Sequence, residues 1–113
     1  MAKKKVSSYT DGIAKVFRKK NVERNVRSLD DLEYLGFLCF EEKSKRQQDL
    51  EFAEQLGANL TMKIATPDDG NMDSNWNVVI DDTIYAIIYI DRNKQKREKY
   101  FYLEEVRKIV WKN

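Results

Sequence analysis

Three apolar runs near the end of the chain, separated by short polar turns, dominate its hydrophobic pattern. They cover residues 76–80, 83–90 and 100–106 and are rich in β-branched and aromatic side chains, which favour strands. The runs predict a three-stranded antiparallel meander. In the middle run alternation places Ile84, Ala86, Ile88 and Ile90 on one face and Tyr85, Ile87 and Tyr89 on the other. A strand that is apolar on both faces is expected to be covered on both, inside a closed sheet or against a partner.

The chain before residue 66 predicts three more strands. Residues 13–17 alternate weakly, with Ile13 and Phe17 on the same side, and indicate a strand at a sheet edge. Residues 37–42 form a short apolar run that is too brief for a helix. Residues 59–65 alternate until Pro67, which is expected to end that strand. The longest turn-rich segment, residues 68–74, follows.

Two helices are expected between these strands. Ser28 is placed as an N-cap with Asp31 three residues later, which predicts at most two turns that end at Gly36. A longer helix is predicted between a cap at Ser44 and a stop at Gly57, with Gln47 at the return position of a capping box. The short helix would present Leu29, Leu32 and Leu35, and the longer one Leu50, Phe52, Ala53 and Leu56.

This order of elements predicts a mainly β fold of the α+β type. We expect a small antiparallel β-barrel or strongly bent sheet of about six strands, with one short and one longer inserted helix. Short connections in the second half exclude a parallel sheet there, because parallel pairs need long crossovers. With 113 residues the chain is expected to form one domain, residues 10–110, after a flexible basic N-terminal segment, residues 1–9.

The net charge of +2 conceals a division along the chain. Residues 1–27 carry nine Lys and Arg against two acids, residues 28–91 four against fourteen, and residues 92–113 eight against three. Basic ends around an acidic middle would suit either nucleic acid or a complementary patch on a neighbouring subunit. The single cysteine, Cys39, cannot form an internal disulfide, which suits a reducing compartment, and it is expected to be a small buried hydrophobe. No apolar segment is long enough for a membrane span, so we expect no membrane contact.

The residues offer little for catalysis. The chain has no histidine, so imidazole bases and histidine metal sites are excluded, and one cysteine cannot build a zinc site. The oxygen-rich segment after Pro67 has its glycine at the wrong offset for a calcium loop. Adjacent carboxylates such as Asp81 and Asp82 point to opposite faces within a strand. We therefore expect no catalytic residues, no metal site and no cofactor.

Aromatic and basic residues of the meander raise nucleic-acid binding as an alternative. A tyrosine stacking platform beside a cationic ribbon would bind bases and phosphates. Packing within the sheet and a solvated hairpin tip explain the same residues, and this interpretation is favoured. The tyrosines are Tyr85, Tyr89, Tyr100 and Tyr102, and the basic residues are Arg92, Lys94, Lys96, Arg97 and Lys99.

Several short blocks in a fixed order resemble one family. Asp11-Gly12-Ile13-Ala14-Lys15-Val16 comes first, then Phe40-Glu41-Glu42, Arg46, a helix over residues 49–57 and a strand over residues 59–64. Val79-Ile80, Ile84-Tyr85-Ala86-Ile87, Tyr89-Ile90-Asp91 and Tyr100-Phe101-Tyr102-Leu103-Glu104-Glu105-Val106 complete the pattern. Over residues 10–109 the chain resembles head-closure proteins, also called head–tail connector or stopper proteins, of long-tailed phages and prophages of Gram-positive bacteria.

The resemblance implies a structural role in the virion. Identical subunits, about twelve in that family, would form a ring below the portal and adaptor and above the tail-terminator protein, around packaged DNA. The protein would occupy the head–tail interface after assembly in the host cytoplasm. By position, the candidate gate or subunit-contact loop consists of Asp68, Asp69, Gly70, Asn71, Met72, Asp73, Ser74 and Asn75. The candidate basic interface consists of Arg92, Lys94, Lys96, Arg97 and Lys99.

Other functions stay open from the sequence. A tail-completion or adaptor protein of the same junction is a close neighbour of the head-closure hypothesis. A small nucleic-acid-binding regulator would use the basic hairpin and Lys3, Lys4 and Lys5. An enzyme has the least support, because no constellation of residues indicates how a nucleophile or proton would be activated.

Overall fold

A computed structural model describes residues 9–68 and 72–110, and in this part the chain is mainly β. Six antiparallel strands and one α-helix are present there. The prediction of a mainly β fold with about six antiparallel strands is confirmed. The strands are β1 (Gly12–Lys19), β2 (Leu32–Lys43), β3 (Met62–Pro67), β4 (Asn77–Ile80), β5 (Thr83–Asn93) and β6 (Glu98–Lys108), and the helix is α1 (Gln47–Gln55).

The strands follow the order β1-β2-β3-β6-β5-β4, and β4 pairs with β1, so the sheet closes into a ring. The ladders differ in length. β5 and β6 pair from Thr83 and Lys108 to Asn93 and Glu98, whereas β2 and β3 pair only between residues 41–43 and 63–65. Beyond the pair Glu41 and Ala65 the two strands diverge, and we name this divergence the seam.

The interior of the ring is an apolar core to which every strand contributes side chains. Ala14, Phe40, Ile64, Phe101 and Leu103 are almost completely buried there. Val78, Ile80, Tyr85 and Ile87 complete the buried cluster. Because successive side chains of a strand point to opposite faces, the residues between these positions face outward.

Strand β5 is covered on both faces, as its sequence predicts. Tyr85 and Ile87 pack in the interior, whereas Ile84 packs outside the ring with Val26 and Leu32. Further along the outer face, Ile88 packs against the cluster that contains Ala53 of α1. The connection between β1 and β2 and the helix therefore supply the outer cover.

Strict alternation along β5 fails after Ile87. The register shifts between Ile87 and Tyr89, which is typical of a β-bulge, where an extra residue reverses which face the following side chains occupy. Ile90 therefore packs with the interior cluster, whereas the Tyr89 ring lies outside, 5.0 Å from the Phe52 ring of α1. The prediction that Tyr89 shares a face with Tyr85 and Ile87 is wrong for this reason.

The short helix predicted after Ser28 is reduced to one 3₁₀ turn, Leu29–Asp31. Ser28 and Asp31 form the expected capping box. Leu32 to Leu35, however, belong to β2, where Leu32 pairs with Lys19 of β1. The backbone amides that a helix would use for internal hydrogen bonds instead bond to β1, so strand pairing overrides the helical propensity.

Helix α1 exists as predicted, but its start is different. Its N-cap is Arg46 rather than Ser44, and Asp49 rather than Gln47 occupies the return position of the capping box. Gly57, with a positive φ of 73°, follows the helix at the predicted stop. Cys39 also departs from expectation, because it is exposed on the outer face of β2.

Candidate functional site

The candidate gate loop, residues 68–75, is named the acidic loop, and residues 92–99 are named the basic hairpin. The start of the acidic loop lies against the basic hairpin at one end of the strand ring. Asp68 directly follows β3, and its carboxylate lies 3.3 Å from the Lys99 ammonium and 3.3 Å from the Arg92 guanidinium. The Asp68 amide also donates a hydrogen bond of 2.8 Å to the Arg97 carbonyl. The start of the candidate gate loop is therefore fastened to the β5–β6 hairpin of the same chain.

The far end of the loop is also ordered by local contacts. The Asp73 carboxylate accepts a hydrogen bond of 2.8 Å from the Asn75 amide, and the Asp73 carbonyl accepts one of 3.0 Å from the Trp76 amide. Met72 and Trp76 are half-buried and pack against the interior core. Asp73, Ser74 and Asn75 are exposed. Asp69, Gly70 and Asn71, which belong to the predicted loop, lie outside the described residues, as do Lys3, Lys4 and Lys5.

The five basic residues predicted as one interface do not share one environment. Lys94, Lys96 and Arg97 are exposed in the turn between β5 and β6. Lys99 is only 2% exposed, because alternation along β6 places it on the inner face with Phe101 and Leu103. Lys99 is therefore buried, unlike the three cations of the turn, and the basic interface itself stays a prediction.

The tyrosine platform considered for nucleic-acid binding does not form. Tyr85 is buried inside the ring, and Tyr102 is buried under α1. The Tyr100 hydroxyl donates a hydrogen bond of 3.0 Å to Glu98, and the exposed Tyr89 ring packs edge-on against Phe52. These side chains serve packing within the fold, as the favoured interpretation of the sequence predicts.

A buried ionic cluster under α1 was missed by the sequence reasoning. The Asp49 carboxylate accepts hydrogen bonds of 3.1 Å from the Lys63 ammonium, 3.1 Å from the Tyr102 hydroxyl and 3.0 Å from the Arg46 amide. The Lys63 ammonium also lies 5.1 Å from the centre of the Tyr102 ring. The cluster joins α1 to β3 and β6. Its only sequence signal is that Lys63 and Tyr102 occupy outward positions of their strands.

The cluster shifts the pKa values of its members in opposite directions. Burial by itself would raise the pKa of Asp49, but hydrogen bonds from Arg46, Lys63 and Tyr102 outweigh it and lower that pKa to about 2. Burial, followed by the hydrogen bond to the Asp49 carboxylate, raises the pKa of Tyr102 to about 12. Asp49 is therefore charged and Tyr102 neutral at physiological pH, which is the arrangement that fastens the helix.

A cavity of about 290 Å³ lies at the seam. Leu35 and Phe37 of β2 line one side, and Thr66 of β3 and Lys99 of β6 line another. Met72 of the acidic loop and Trp76, which directly follows that loop, complete much of its wall. The cavity is mostly apolar, so its wall is suited to receive an apolar side chain rather than a charged ligand.

Across residues 9–68 and 72–110, no group of three or more His, Cys, Asp or Glu side chains is arranged to hold a metal ion. Over those two ranges, no helix has the length and apolar character that a membrane crossing requires. No protein-family model matches this chain, and no curated protein matches its sequence.

Proposed function

We propose that the protein is a structural component of the head–tail junction of a long-tailed phage or prophage. Identical subunits would form a ring under the portal and adaptor. The ring would close the DNA-filled head and provide the surface to which the tail attaches. The order of the sequence blocks supports this proposal.

The observation that carries the proposal is the meeting of the acidic loop and the basic hairpin at one end of the closed strand ring. We take the closed ring to be a small β-barrel, which gives such loops a rigid base. The exposed carboxylate of Asp73 would repel DNA phosphates rather than grip them, whereas the charge of Asp68 is already balanced by Lys99 and Arg92. This charge favours a gate or a contact between subunits over a DNA-binding role for the loop.

The exposed cations of the hairpin turn suit a contact with another protein of the junction. Lys94, Lys96 and Arg97 are exposed, so their charges would act mainly on association rates and specificity and would be screened by salt. We expect K94Q/K96Q to slow assembly at the junction more than the matched variant K20Q/R24Q, whose exposed cations lie on the β1–β2 connection. Equal effects of the two variants would remove the hairpin turn from the interface.

The proposal is tested by disrupting the gene in the phage or prophage that encodes it. We expect DNA-filled heads that carry no tails and lose their DNA, and purified protein added to these heads should restore tail joining. Electron microscopy of tailed particles should then show the protein at the junction. Normal tailed particles that lack the protein would contradict the proposal.

Nucleic-acid binding is kept as a second candidate, because the hairpin turn places three exposed cations close together. If it holds, affinity for duplex DNA should fall linearly with the logarithm of salt concentration, and K94Q/K96Q should reduce the slope by about 2. A lack of binding at low salt would eliminate this candidate. Binding with the predicted slope, together with normal tail joining in the disrupted phage, would favour it over the junction protein.

A further inference from the structure

The outer face of the β1–β2 pair exposes large apolar side chains. Ile13 is 51% exposed and Phe37 59% exposed, and Tyr34 and Cys39 are exposed beside them. In the strand register Ile13 lies opposite Cys39, and Lys15 lies opposite Phe37, so these side chains are neighbours. We name Ile13, Lys15, Tyr34, Phe37 and Cys39 the strand face. Contiguous exposed apolar surface of this kind is typical of an interaction site.

A second exposed apolar surface lies around α1. Leu56 is 53% exposed, and Leu50 and Tyr89 are also exposed. Glu51 and Glu54 are exposed on the same helix. We name Leu50, Glu51, Glu54, Leu56 and Tyr89 the helix face. It differs from the strand face in charge, because it carries two carboxylates.

The strand order places these two faces on opposite sides of the molecule. α1 covers β5 and β6, because the Phe52 ring contacts Tyr89 of β5 and Tyr102 of β6. Around the ring, β3 separates the β1–β2 pair from β6 on one side, and β4 separates it from β5 on the other. Two different surfaces on opposite sides are what a head-to-tail contact requires, and such contacts generate rings when the rotation closes.

The two faces also complement each other chemically. The strand face carries one cation, Lys15, among its apolar residues, whereas the helix face carries the acids Glu51 and Glu54. The cavity at the seam is lined by Phe37 and is large enough for an aliphatic side chain. Leu56 of a neighbouring copy is a suitable anchor, since interface anchors fill pockets on the partner.

We propose that the strand face of one copy binds the helix face of the next copy, with Lys15 facing Glu51 and Glu54. The closure of this contact into a ring rests on the proposed function at the head–tail junction. The contact itself does not, because it is argued from the two faces alone. It differs from the hairpin-turn contact, which would face another protein of the junction.

The test uses the single cysteine of the chain, Cys39, which already lies in the strand face. Wild-type protein is mixed with a size-tagged C39S/L56C variant under mild oxidation. We expect a mixed disulfide-linked dimer that joins Cys39 to the new thiol. The matched control is C39S/V22C. Its thiol replaces a more exposed side chain, since Val22 is 80% exposed against 53% for Leu56, and it lies on the β1–β2 connection, outside both faces.

We expect about tenfold more mixed dimer with C39S/L56C than with C39S/V22C, and we expect F37E to abolish this excess while V22E leaves it unchanged. Equal yields from the two cysteine variants at every concentration up to the solubility limit would overturn the inference. Dimers of wild-type protein joined through Cys39 alone, with no excess of mixed product, would instead indicate a two-fold contact and also overturn it.

The two proposals fail in different ways. Specific mixed dimers from a protein that is absent from tailed particles would reject the junction and keep the contact. Protein located at the junction by microscopy, but with no specific mixed dimer, would keep the junction and reject the contact.

Discussion

The Lys63 ammonium lies 3.1 Å from the Asp49 carboxylate, in a contact where the two side chains are only 8% and 4% exposed. Lys63 belongs to β3, and Asp49 belongs to the first turn of α1. The Tyr102 hydroxyl of β6 binds the other oxygen of the same carboxylate. One side chain therefore joins the helix to two strands, and its removal should loosen the helix from the ring.

The first prediction concerns the stability that this pair provides. Because D49N leaves the Lys63 charge buried without its carboxylate, we expect the free energy of unfolding to fall by about 3 kcal/mol. K63M should cost less, about 1–2 kcal/mol, since Asp49 keeps its hydrogen bonds to Arg46 and Tyr102. Urea unfolding measures both, with E54Q as an exposed control on the same helix. A loss for D49N no larger than for E54Q would show that the pair does not stabilise the fold.

The second prediction is a dependence of stability on acid pH. The pKa of Asp49 is about 2 in the folded protein against an ordinary value of 3.8, so its contribution to stability is complete above pH 4. That contribution should be lost as the pH falls from about 4 to about 2. Urea midpoints across this range should fall more steeply for the wild type than for D49N. If the urea midpoints of the wild type and D49N fell equally with pH, a group other than Asp49 would be responsible for the acid sensitivity.

The third prediction concerns alkaline pH and Tyr102. The pKa of Tyr102 is raised from 10 to about 12, so its contribution is complete below pH 10 and should be lost between about pH 10 and 12. In D49N the acceptor carboxylate is absent, and we expect the pKa of Tyr102 to fall. Tyrosinate absorbance during titration reports this change, with Y102F to assign the signal. An unchanged titration in D49N would mean that burial alone sets the shift.

The fourth prediction compares the two cations that bind Asp68. Lys99 is buried on the inner face of the ring, whereas Arg92 is exposed. We expect K99M to cost about 2 kcal/mol of stability, because it takes away the buried partner of a carboxylate, and R92Q to cost less than about 0.5 kcal/mol. Hydrogen exchange of the Asp68 amide, which donates to the Arg97 carbonyl, should accelerate in K99M only. Similar exchange in both variants would indicate that Arg92 anchors the loop equally.

The fifth prediction tests the close packing at Gly12. A Cβ atom at this position would lie 3.0 Å from the Phe40 ring, which is almost completely buried in the core. We therefore expect G12A to destabilise the protein by about 1–3 kcal/mol, and the added cost should shrink when Phe40 is already replaced by leucine. Thermal unfolding of G12A, F40L and the double variant measures this coupling. Additive effects of the two substitutions would show that the Phe40 side chain can move away from the added methyl group.

The local residue pattern predicted a helix or strand correctly wherever the strand pairing of the fold favoured the same structure. The apolar runs of β4, β5 and β6 predict strands from their own residues, and Gly57 predicts the end of α1. The predicted helix over Leu32 to Leu35 is wrong, because these residues belong to a strand that pairs with Phe17 to Lys19 of β1. That partner is distant in sequence, so the local pattern does not reveal it. A bulge such as that near Tyr89 has no local signal, since it depends on the pairing of β5 with β6.

The candidate site was predictable in outline but not in its contacts. The acidic and basic segments are visible as charge runs, and the structure places them side by side. The burial of Lys99 follows from which face of β6 is interior, and a charge run does not contain that information. The cluster of Asp49, Lys63 and Tyr102 brings together three distant positions, none of which stands out by itself.

The short ladder between β2 and β3 also sets the order in which the strands would separate. Residues 41–43 and 63–65 are all that join these two strands, whereas the ladders on either side of them are longer. Local opening requires the loss of the fewest hydrogen bonds at this place. We therefore expect the strand ring to open transiently at the seam. This opening would widen the cavity beside Phe37 while the other five ladders stay intact.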